Sequence, residues 1–275
     1  MHGCGNDYVY VDCTDGTLPA DPSALAVKIS DRHKGVGGDG LVLICPSERA
    51  DAFMHMYNAD GSEGKMCGNA IRCVGKYLYD KGIAKKEFID VETLSGVKRL
   101  KMFVKNGAAA GARVDMGAAE FDCGKIPAAY DGECIGQKMK IAGGEYEVTL
   151  VSMGNPHCVV FCGDPDSLDL EKTGPLFEHD ALFPEGVNTE FIKKTGENRL
   201  RMRVWERGSG ETLACGTGAC AAVSAAVRLG YFKEGEPVTV SLTGGDLTIE
   251  YTKQTVFMTG EAVTVSEGVY FGDTE

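Results

Sequence analysis

The chain has 275 residues, 43% of them hydrophobic, which is enough for one large domain or two of ordinary size. Its 40 acidic and 28 basic side chains give a net charge of −12, which disfavours nucleic acid as a partner because phosphate binding needs an excess of Lys and Arg. No run approaches the roughly 20 apolar residues that span a bilayer, and residues 1–7 lack the basic and apolar segments of a secretory signal. We therefore expect a cytoplasmic protein that binds neither nucleic acid nor a membrane.

Short runs of β-branched and aromatic residues, and two stretches with helical spacing, make up the predicted elements. In chain order the strands are predicted at 8–11, 40–44, 52–57, 148–151, 200–204 and 238–242. An apolar face at helical spacing follows Cys67, and another follows Cys215. Each ends at a glycine fifteen positions after its cysteine, Gly82 or Gly230, where a helix C-terminus favours glycine. The Gly-Ala-Ala-Ala-Gly run at 107–111 is predicted to be a turn or a flexible connection near a domain boundary.

The two cysteine segments belong to an internal repeat. Cys67-Gly68-Asn69 and Cys215-Gly216-Thr217 align without a gap, at an offset of 148 residues. The same offset relates further pairs upstream, and it becomes 149 for the last of them: Glu63 with Glu211, Asn58 with Glu206, Gly40 with Asn188, and Asn6 with Asn155. The repeat predicts an α/β (α+β) chain of two structurally similar domains related by a pseudo-twofold. The first is predicted at 1–113, the second at 114–260, and residues 261–275 are predicted to return to the first.

A pair of cysteines at helix starts favours proton transfer. A thiol just before a helix lies at the positive end of the helix dipole, which favours the thiolate, and the N–H groups of the first turn can hold a carboxylate. Two such starts predict a cleft in which one thiolate removes a proton from a carbon beside a carboxylate and the opposite thiol delivers one. No metal is expected, because the closest cysteine pairs, Cys158 with Cys162 and Cys215 with Cys220, lack zinc-site spacing. The nine cysteines other than Cys67 and Cys215 are expected to be small buried hydrophobes.

The chain resembles diaminopimelate epimerases over its whole length. The matching segments are 2–7 (HGCGND), 57–62 (YNADGS), 66–69 (MCGN), 152–157 (SMGNPH), 187–188 (VN), 206–208 (ERG) and 214–218 (ACGTG). The resemblance implies two domains, each a curled, barrel-like and mainly antiparallel sheet around a central helix, with the active site between them. It also implies a homodimer without cofactor, neither pyridoxal phosphate nor a metal, that interconverts LL- and meso-diaminopimelate in lysine and peptidoglycan-precursor biosynthesis.

The resemblance also assigns roles to individual residues. It makes Cys67 and Cys215 the base and acid, and it places Asn6 near the reacting amino group. The reacting carboxylate would be held at the helix starts by Gly68, Asn69, Gly216 and Thr217. The distal amino-acid head would be held by Asn58, Asn155, Asn188, Glu206 and Arg207. His157 and Glu206 would influence the protonation of a thiol. Gly40 departs from the pattern, since some members of the family have glutamine there, so one polar contact to the substrate must be missing or supplied by water.

Other interpretations remain open at this point. A proline or hydroxyproline racemase shares the two-cysteine plan but usually has histidine where this chain has Asn69. A thiol redox protein would join Cys67 to Cys215 in a reversible disulfide, and an amino-acid-binding protein would use the same groups without catalysis. Taken singly, Asn6 and Asn155 also suit turns, and His157 suits a structural role.

Overall fold

The computed structural model describes residues 1–141 and 143–272; residues 273–275 of the segment predicted to return to the first domain lie outside the described part. The chain divides into two compact units, one formed by Met1–Val114 with the segment from Gly260 onward, the other by Asp115–Thr259. Both units are mixed α+β, with a mainly antiparallel sheet and few helices. The predicted fold class is confirmed.

The first unit contains eight strands and two helices among the described residues. In chain order they are β1 (His2–Gly3), β2 (Asn6–Asp12), α1 (Pro22–Ser30), β3 (Gly40–Cys45), β4 (Ala52–Asn58), β5 (Glu63–Gly64), α2 (Gly68–Asp80), β6 (Phe88–Thr93), β7 (Gly96–Lys105) and β8 (Ala108–Asp115). Strands β2 and β3 are parallel and are joined through α1. Strand β4 pairs antiparallel with β3 and β5 and parallel with β6, and the meander β6–β7–β8 completes the unit.

The second unit has nine strands, two α-helices and one 3₁₀ turn in its described part. They are β9 (Gln137–Ile141), β10 (Gly144–Ser152), β11 (Pro156–Phe161), the 3₁₀ turn Pro165–Ser167, α3 (Leu170–Glu178), β12 (Asn188–Gly196), β13 (Arg199–Glu206), β14 (Gly210–Glu211), α4 (Gly216–Arg228), β15 (Pro237–Leu242), β16 (Gly245–Tyr251) and β17 (Val256–Glu261). Strands β11 and β12 are parallel and are joined through α3. Strand β13 pairs antiparallel with β12 and β14 and parallel with β15, and the meander β15–β16–β17 follows.

The strand pairings therefore repeat from one unit to the other. Tyr8 lies opposite Gly40 in the first unit, and His157 lies opposite Asn188 in the second. Likewise, Tyr57 pairs with Glu63, and Trp205 pairs with Glu211. The offset found in the sequence thus corresponds to a repeated topology in three dimensions.

One helix lies at the core of each unit. In α2 the side chains Ile71, Val74 and Leu78 are fully buried, as the apolar spacing predicts. Fully burying a side chain of this kind contributes about 1.5–3 kcal/mol. The helix α4 is buried almost all round, and its small residues let the strands approach closely. Gly82 and Gly230 follow the two helices with φ of 76° and 80°, as expected at a helix C-terminus.

The interpretation of residues 107–111 is wrong in part. Asn106 and Gly107 form the turn, with φ of 54° and 83°, but Ala108 already begins β8. A glycine is needed at position 111 because an added Cβ would be 2.3 Å from the Gly260 carbonyl oxygen. In the described residues, no helix has the length and apolar character needed to cross a membrane.

Candidate active site

Cys67 caps the N-terminus of α2. Its backbone is extended, with φ of −132° and ψ of 121°, and its Sγ accepts a hydrogen bond from Ala70 N at 3.5 Å. The thiol donates to Asn6 Oδ1 at 3.4 Å. The helix start predicted from the Cys-Gly motif is therefore present, and the structure brings Asn6 to the thiol.

A carboxylate that the sequence did not single out orients Asn6. Asp39 Oδ2 accepts from Asn6 Nδ2 at 2.7 Å and from Asp7 N at 3.1 Å, which leaves the amide oxygen of Asn6 facing the thiol. Arg32 donates through Nη1 and Nη2 to the Asp7 carboxylate, and through Nη2 to Asp39 Oδ1 at 2.9 Å. Burial, and then the nearby Asp7 carboxylate, raise the pKa of Asp39.

The first turn of α2 is secured by a buried arginine. Arg72 is fully buried and donates to Gly68 O at 2.9 Å, to Asn69 Oδ1 at 3.1 Å and to Glu261 O at 3.1 Å. Asn69, which is 2% exposed, is thus engaged through its oxygen. Asn58 is the last residue of β4 and donates to Ser62 Oγ at 3.0 Å.

Cys215 caps the N-terminus of α4 in the same way. Its Sγ accepts from Gly218 N at 3.4 Å and lies 3.5 Å from Thr217 Oγ1. Burial raises the pKa of the Cys215 thiol well above its usual value, and the Glu206 and Glu190 carboxylates raise it further. Burial and the two carboxylates therefore oppose the lowering of the thiol pKa that is expected at a helix N-terminus.

A chain of hydrogen bonds leads from Cys215 into the core of the second unit. Asn155 Nδ2 donates to Thr217 Oγ1 at 3.3 Å, and Asn155 Oδ1 lies 3.1 Å from His157 Nε2. His157 Nδ1 lies 2.7 Å from Glu190 Oε1, and both side chains are fully buried. The structure thus brings Cys215, Thr217, Asn155 and His157 together and adds Glu190.

Three further predicted residues lie close together: Asn188 at the start of β12, and Glu206 and Arg207 where β13 turns into β14. Asn188 is 4% exposed; it donates to Pro156 O at 2.8 Å and accepts from Arg207 N at 3.0 Å. The exposed Arg207 donates through Nη1 to Glu185 O at 3.0 Å, and Glu206 accepts from the Thr212 hydroxyl. Glu178, which the sequence did not single out, accepts from Gly208 N at 2.9 Å and so holds the same turn.

The eleven cysteines, all within the described residues, are reduced thiols. Cys162 is half-buried and Cys67 partly exposed, whereas the other nine are buried. Among residues 1–141 and 143–272, no three His, Cys, Asp or Glu side chains are arranged to hold a metal ion.

The model of the family described as diaminopimelate epimerase matches residues 1–121 and 149–265. The chain is 52% identical over 271 residues to a diaminopimelate epimerase of Acetivibrio thermocellus, with 98% of this chain and 96% of that protein covered. It is 51% identical over 280 residues to that of Desulfovibrio desulfuricans, with 98% and 96% covered.

The chain belongs to the diaminopimelate epimerase family. This confirms the resemblance seen in the sequence and the expected class of enzyme, an amino-acid epimerase and hence an isomerase. The sequence identity to these epimerases argues against the alternatives of a proline racemase and a thiol redox protein.

Solved structures of lower identity share the fold of the diaminopimelate epimerase family. A phenazine biosynthesis protein of the PhzF family from Bacillus anthracis superposes with a TM-score of 0.69 at 17% identity, covering 95% of this chain and 92% of that one. A hydroxyproline epimerase from Agrobacterium vitis has a TM-score of 0.65 at 16% identity, covering 94% and 86%. At these identities the likeness concerns the fold alone.

Proposed function

We propose that this chain interconverts LL- and meso-2,6-diaminopimelate without a cofactor, with Cys67 and Cys215 as the two proton-transfer groups. The observation that carries the proposal is the duplicated helix start. In each unit a cysteine caps the central helix through its sulfur. Asn6 contacts the Cys67 thiol, and Thr217, which is hydrogen-bonded to Asn155, contacts the Cys215 thiol. The names of the relatives supply the substrate.

The reaction needs one thiolate and one thiol. The thiolate takes the proton of the α-carbon, so that an S–H bond forms and the electrons of the C–H bond move into the carboxylate as an enediolate-like carbanion. The other thiol then gives its proton to the opposite face of that carbon and becomes a thiolate. The raised pKa of Cys215 suits it to enter one direction of the cycle protonated, as the acid.

The helix starts are suited to bind the reacting carboxylate. The first N–H groups of a helix have no partner within the helix, and the helix dipole adds positive potential at the same place. In this proposal Gly68 and Asn69 of one unit, and Gly216 and Thr217 of the other, present such groups to the carboxylate. The negative charge that grows during proton removal is then stabilised by preorganised dipoles. Asn6 contacts the reacting amino group.

The second amino-acid head of diaminopimelate needs polar partners of both signs. Arg207 can bind a carboxylate through its planar fork, and Glu206 can pair with an ammonium group. Asn58, Asn155 and Asn188 complete the proposed set. His157 lies behind Asn155 and contributes to the environment of Cys215 rather than to a contact with substrate.

The proposal includes a homodimeric enzyme of lysine and peptidoglycan-precursor biosynthesis that works in the cytoplasm. It binds neither nucleic acid nor membranes. The net charge of −12 supports the first of these exclusions, since it disfavours binding to a polyanion.

The test is epimerisation of LL-diaminopimelate in heavy water. Early meso product should carry one deuterium, while unreacted LL substrate keeps most of its hydrogen, because the proton removed and the proton delivered sit on different sulfurs. If label enters both isomers equally from the first turnover, a single exchangeable base is the better model. If no meso product forms, the substrate assignment is wrong.

Cysteine variants give the matched comparison. Cys67→Ala and Cys215→Ala should each abolish conversion of LL to meso, because each removes one of the two proton carriers. Cys162→Ala, at a half-buried thiol beyond the end of β11, should retain normal turnover. Equal activity in all three variants would contradict the roles proposed for the two cysteines.

A further inference from the structure

His157 and Glu190 form a fully buried acid–base pair, which is linked to Cys215 through Asn155 and Thr217. In the parallel register of β11 and β12, Glu190 lies opposite Val159, two residues beyond His157, so Glu190 and His157 face the same side of the sheet. The N-terminus of α4 covers that side: a Cβ added to Gly218 would lie 2.6 Å from Glu190 Oε1. A glycine at this position lets the helix start approach the carboxylate.

The hydrogen-bond directions determine where the protons are. Asn155 donates through Nδ2 to Thr217, so its Oδ1 faces His157 Nε2 and accepts a hydrogen bond from Nε2–H. Since Nε2 carries a hydrogen, one further proton is shared between His157 Nδ1 and Glu190 Oε1. Glu190 is thus the group that shares a proton with the nitrogen of His157 opposite Asn155.

Burying the Glu190 carboxylate lowers the stability of the fold. Glu190 is 0% exposed, and its second oxygen, Oε2, has no hydrogen-bond partner among the described residues. An unsatisfied buried polar group costs about 1–3 kcal/mol, and a well-packed apolar side chain of similar size would avoid that cost. Packing alone therefore does not account for Glu190.

We propose that Glu190 is a positioning residue for Cys215: by holding His157 with Nε2–H towards Asn155, it sets the amide of Asn155 and the hydroxyl of Thr217 against the thiol. This rests on the role proposed above for Cys215. The charged and titratable groups around the thiol are Glu206 from β13, Glu190 from β12 and His157 from β11, together with the N-terminus of α4. Besides the direct effect of its charge on the pKa of Cys215, Glu190 acts on the thiol through these side chains, and it is not proposed to touch substrate.

Two substitutions separate positioning from packing. In Glu190→Gln the side-chain amide can donate to His157 Nδ1, which leaves Nε2–H on Asn155 and the rest of the chain in place. In Glu190→Leu a side chain of comparable size has nothing to offer Nδ1. We expect kcat of the Gln variant to stay within about threefold of wild type, and kcat of the Leu variant to fall at least about tenfold with little change in KM.

The proton position is measured directly by ¹⁵N NMR of histidine-labelled protein, with His157→Gln to assign the signal. Wild type and Glu190→Gln should carry the hydrogen on Nε2 of His157, and Glu190→Leu should show a mixture of tautomers. The rate at which iodoacetamide alkylates Cys67 should be the same in all three proteins, because that thiol belongs to the other unit.

Three results would overturn the proposal. They are a folded Glu190→Leu variant with wild-type kcat, a Glu190→Gln variant as impaired as the Leu variant, and a hydrogen on Nδ1 alone of His157 in the wild type. If Glu190→Leu fails to fold, the tautomer and kcat of the Gln variant still decide. If the wild type does not act on diaminopimelate, the proposed function fails, while the NMR result still tests whether Glu190 orients His157.

Discussion

Replacing Arg72 by Lys is expected to loosen the helix start that carries Cys67. Arg72 is fully buried, and its guanidinium joins three oxygen acceptors: Gly68 O in the first turn of α2, Asn69 Oδ1 beside it, and Glu261 O from the C-terminal segment of the same unit. It also donates to Cys4 Sγ at 3.8 Å. A lysine ammonium carries its donors on one nitrogen and cannot reproduce this planar fork. It can keep about one of the three hydrogen bonds.

The expected magnitude follows from the hydrogen bonds that a lysine at this position cannot make. A hydrogen bond to a charged group contributes about 1.5–3 kcal/mol, and part of the loss is recovered by rearrangement, so Arg72→Lys should cost about 2–4 kcal/mol. The amides of α2 should then exchange with solvent roughly 30- to 1,000-fold faster where exchange requires opening of this unit, since 1.4 kcal/mol corresponds to about tenfold. Turnover should fall as well, because the Cys67 thiol is held by this turn.

Hydrogen exchange followed by mass spectrometry measures the effect peptide by peptide. The peptides of α4 provide an internal control, because α4 belongs to the second unit. Arg99→Lys is the matched variant: Arg99 makes a bidentate pair with Asp90 at 2.8 Å, but its side chain is 66% exposed, so the exchange of α2 should hardly change. If Arg72→Lys accelerates exchange in α2 no more than Arg99→Lys does, the buried guanidinium does not secure the helix start.

Four further outcomes are expected. Gly218→Ala places a methyl group 2.6 Å from Glu190 Oε1, so a helix-propensity gain of up to about 1 kcal/mol is offset by overpacking of about 1–3 kcal/mol. We expect kcat to fall at least about tenfold with a modest change in Tm, and an unchanged kcat would contradict the close contact. Gly40→Gln should lower the free energy of unfolding by about 2 kcal/mol or more, because an added Cβ lies 2.1 Å from Tyr57 O. A variant of wild-type stability with tighter substrate binding would show instead that the site accepts a glutamine side chain at this position. Arg207→Lys should reduce kcat/KM for diaminopimelate at least about tenfold, or roughly 1.4 kcal/mol, and an unchanged value would contradict the assignment of Arg207 to the distal carboxylate. Wild type should turn over diaminopimelate faster than proline, and the reverse order would contradict the proposed substrate. Finally, burial raises the pKa of Cys134 to about 12, above the unfolded thiol value of about 8.5. The stability that this thiol contributes is therefore fully present below the unfolded pKa and is lost as pH rises through the folded pKa. Urea unfolding at pH 8 and pH 10 should show the decline in stability, and Cys134→Ala should make that decline smaller.

Much of the fold could be predicted from local patterns. The two helix starts follow from a cysteine before glycine and an apolar face at helical spacing, and the glycines that end both helices need positive φ. The constant offset between Cys67 and Cys215 predicted two similar halves, because a repeated sequence must bury the same faces in each. The segment 107–111 was misread in part because alanine has weak strand propensity, and the close approach of Gly260 to Gly111 is not visible in the sequence.

The residues that support the thiols were decided by tertiary structure. Asn6 meets Asp39 and His157 meets Glu190, each across 33 residues of sequence, because a parallel pair of strands needs a crossover, here through α1 or α3, before the second strand returns. Neither carboxylate shows a local motif, and the two are not equivalent in the repeat. Asp39 precedes the first residue of β3, whereas Glu190 is the third residue of β12. The sequence by itself determined where the two thiols cap their helices, while the register of the parallel strands decided which carboxylate contacts the groups beside each one.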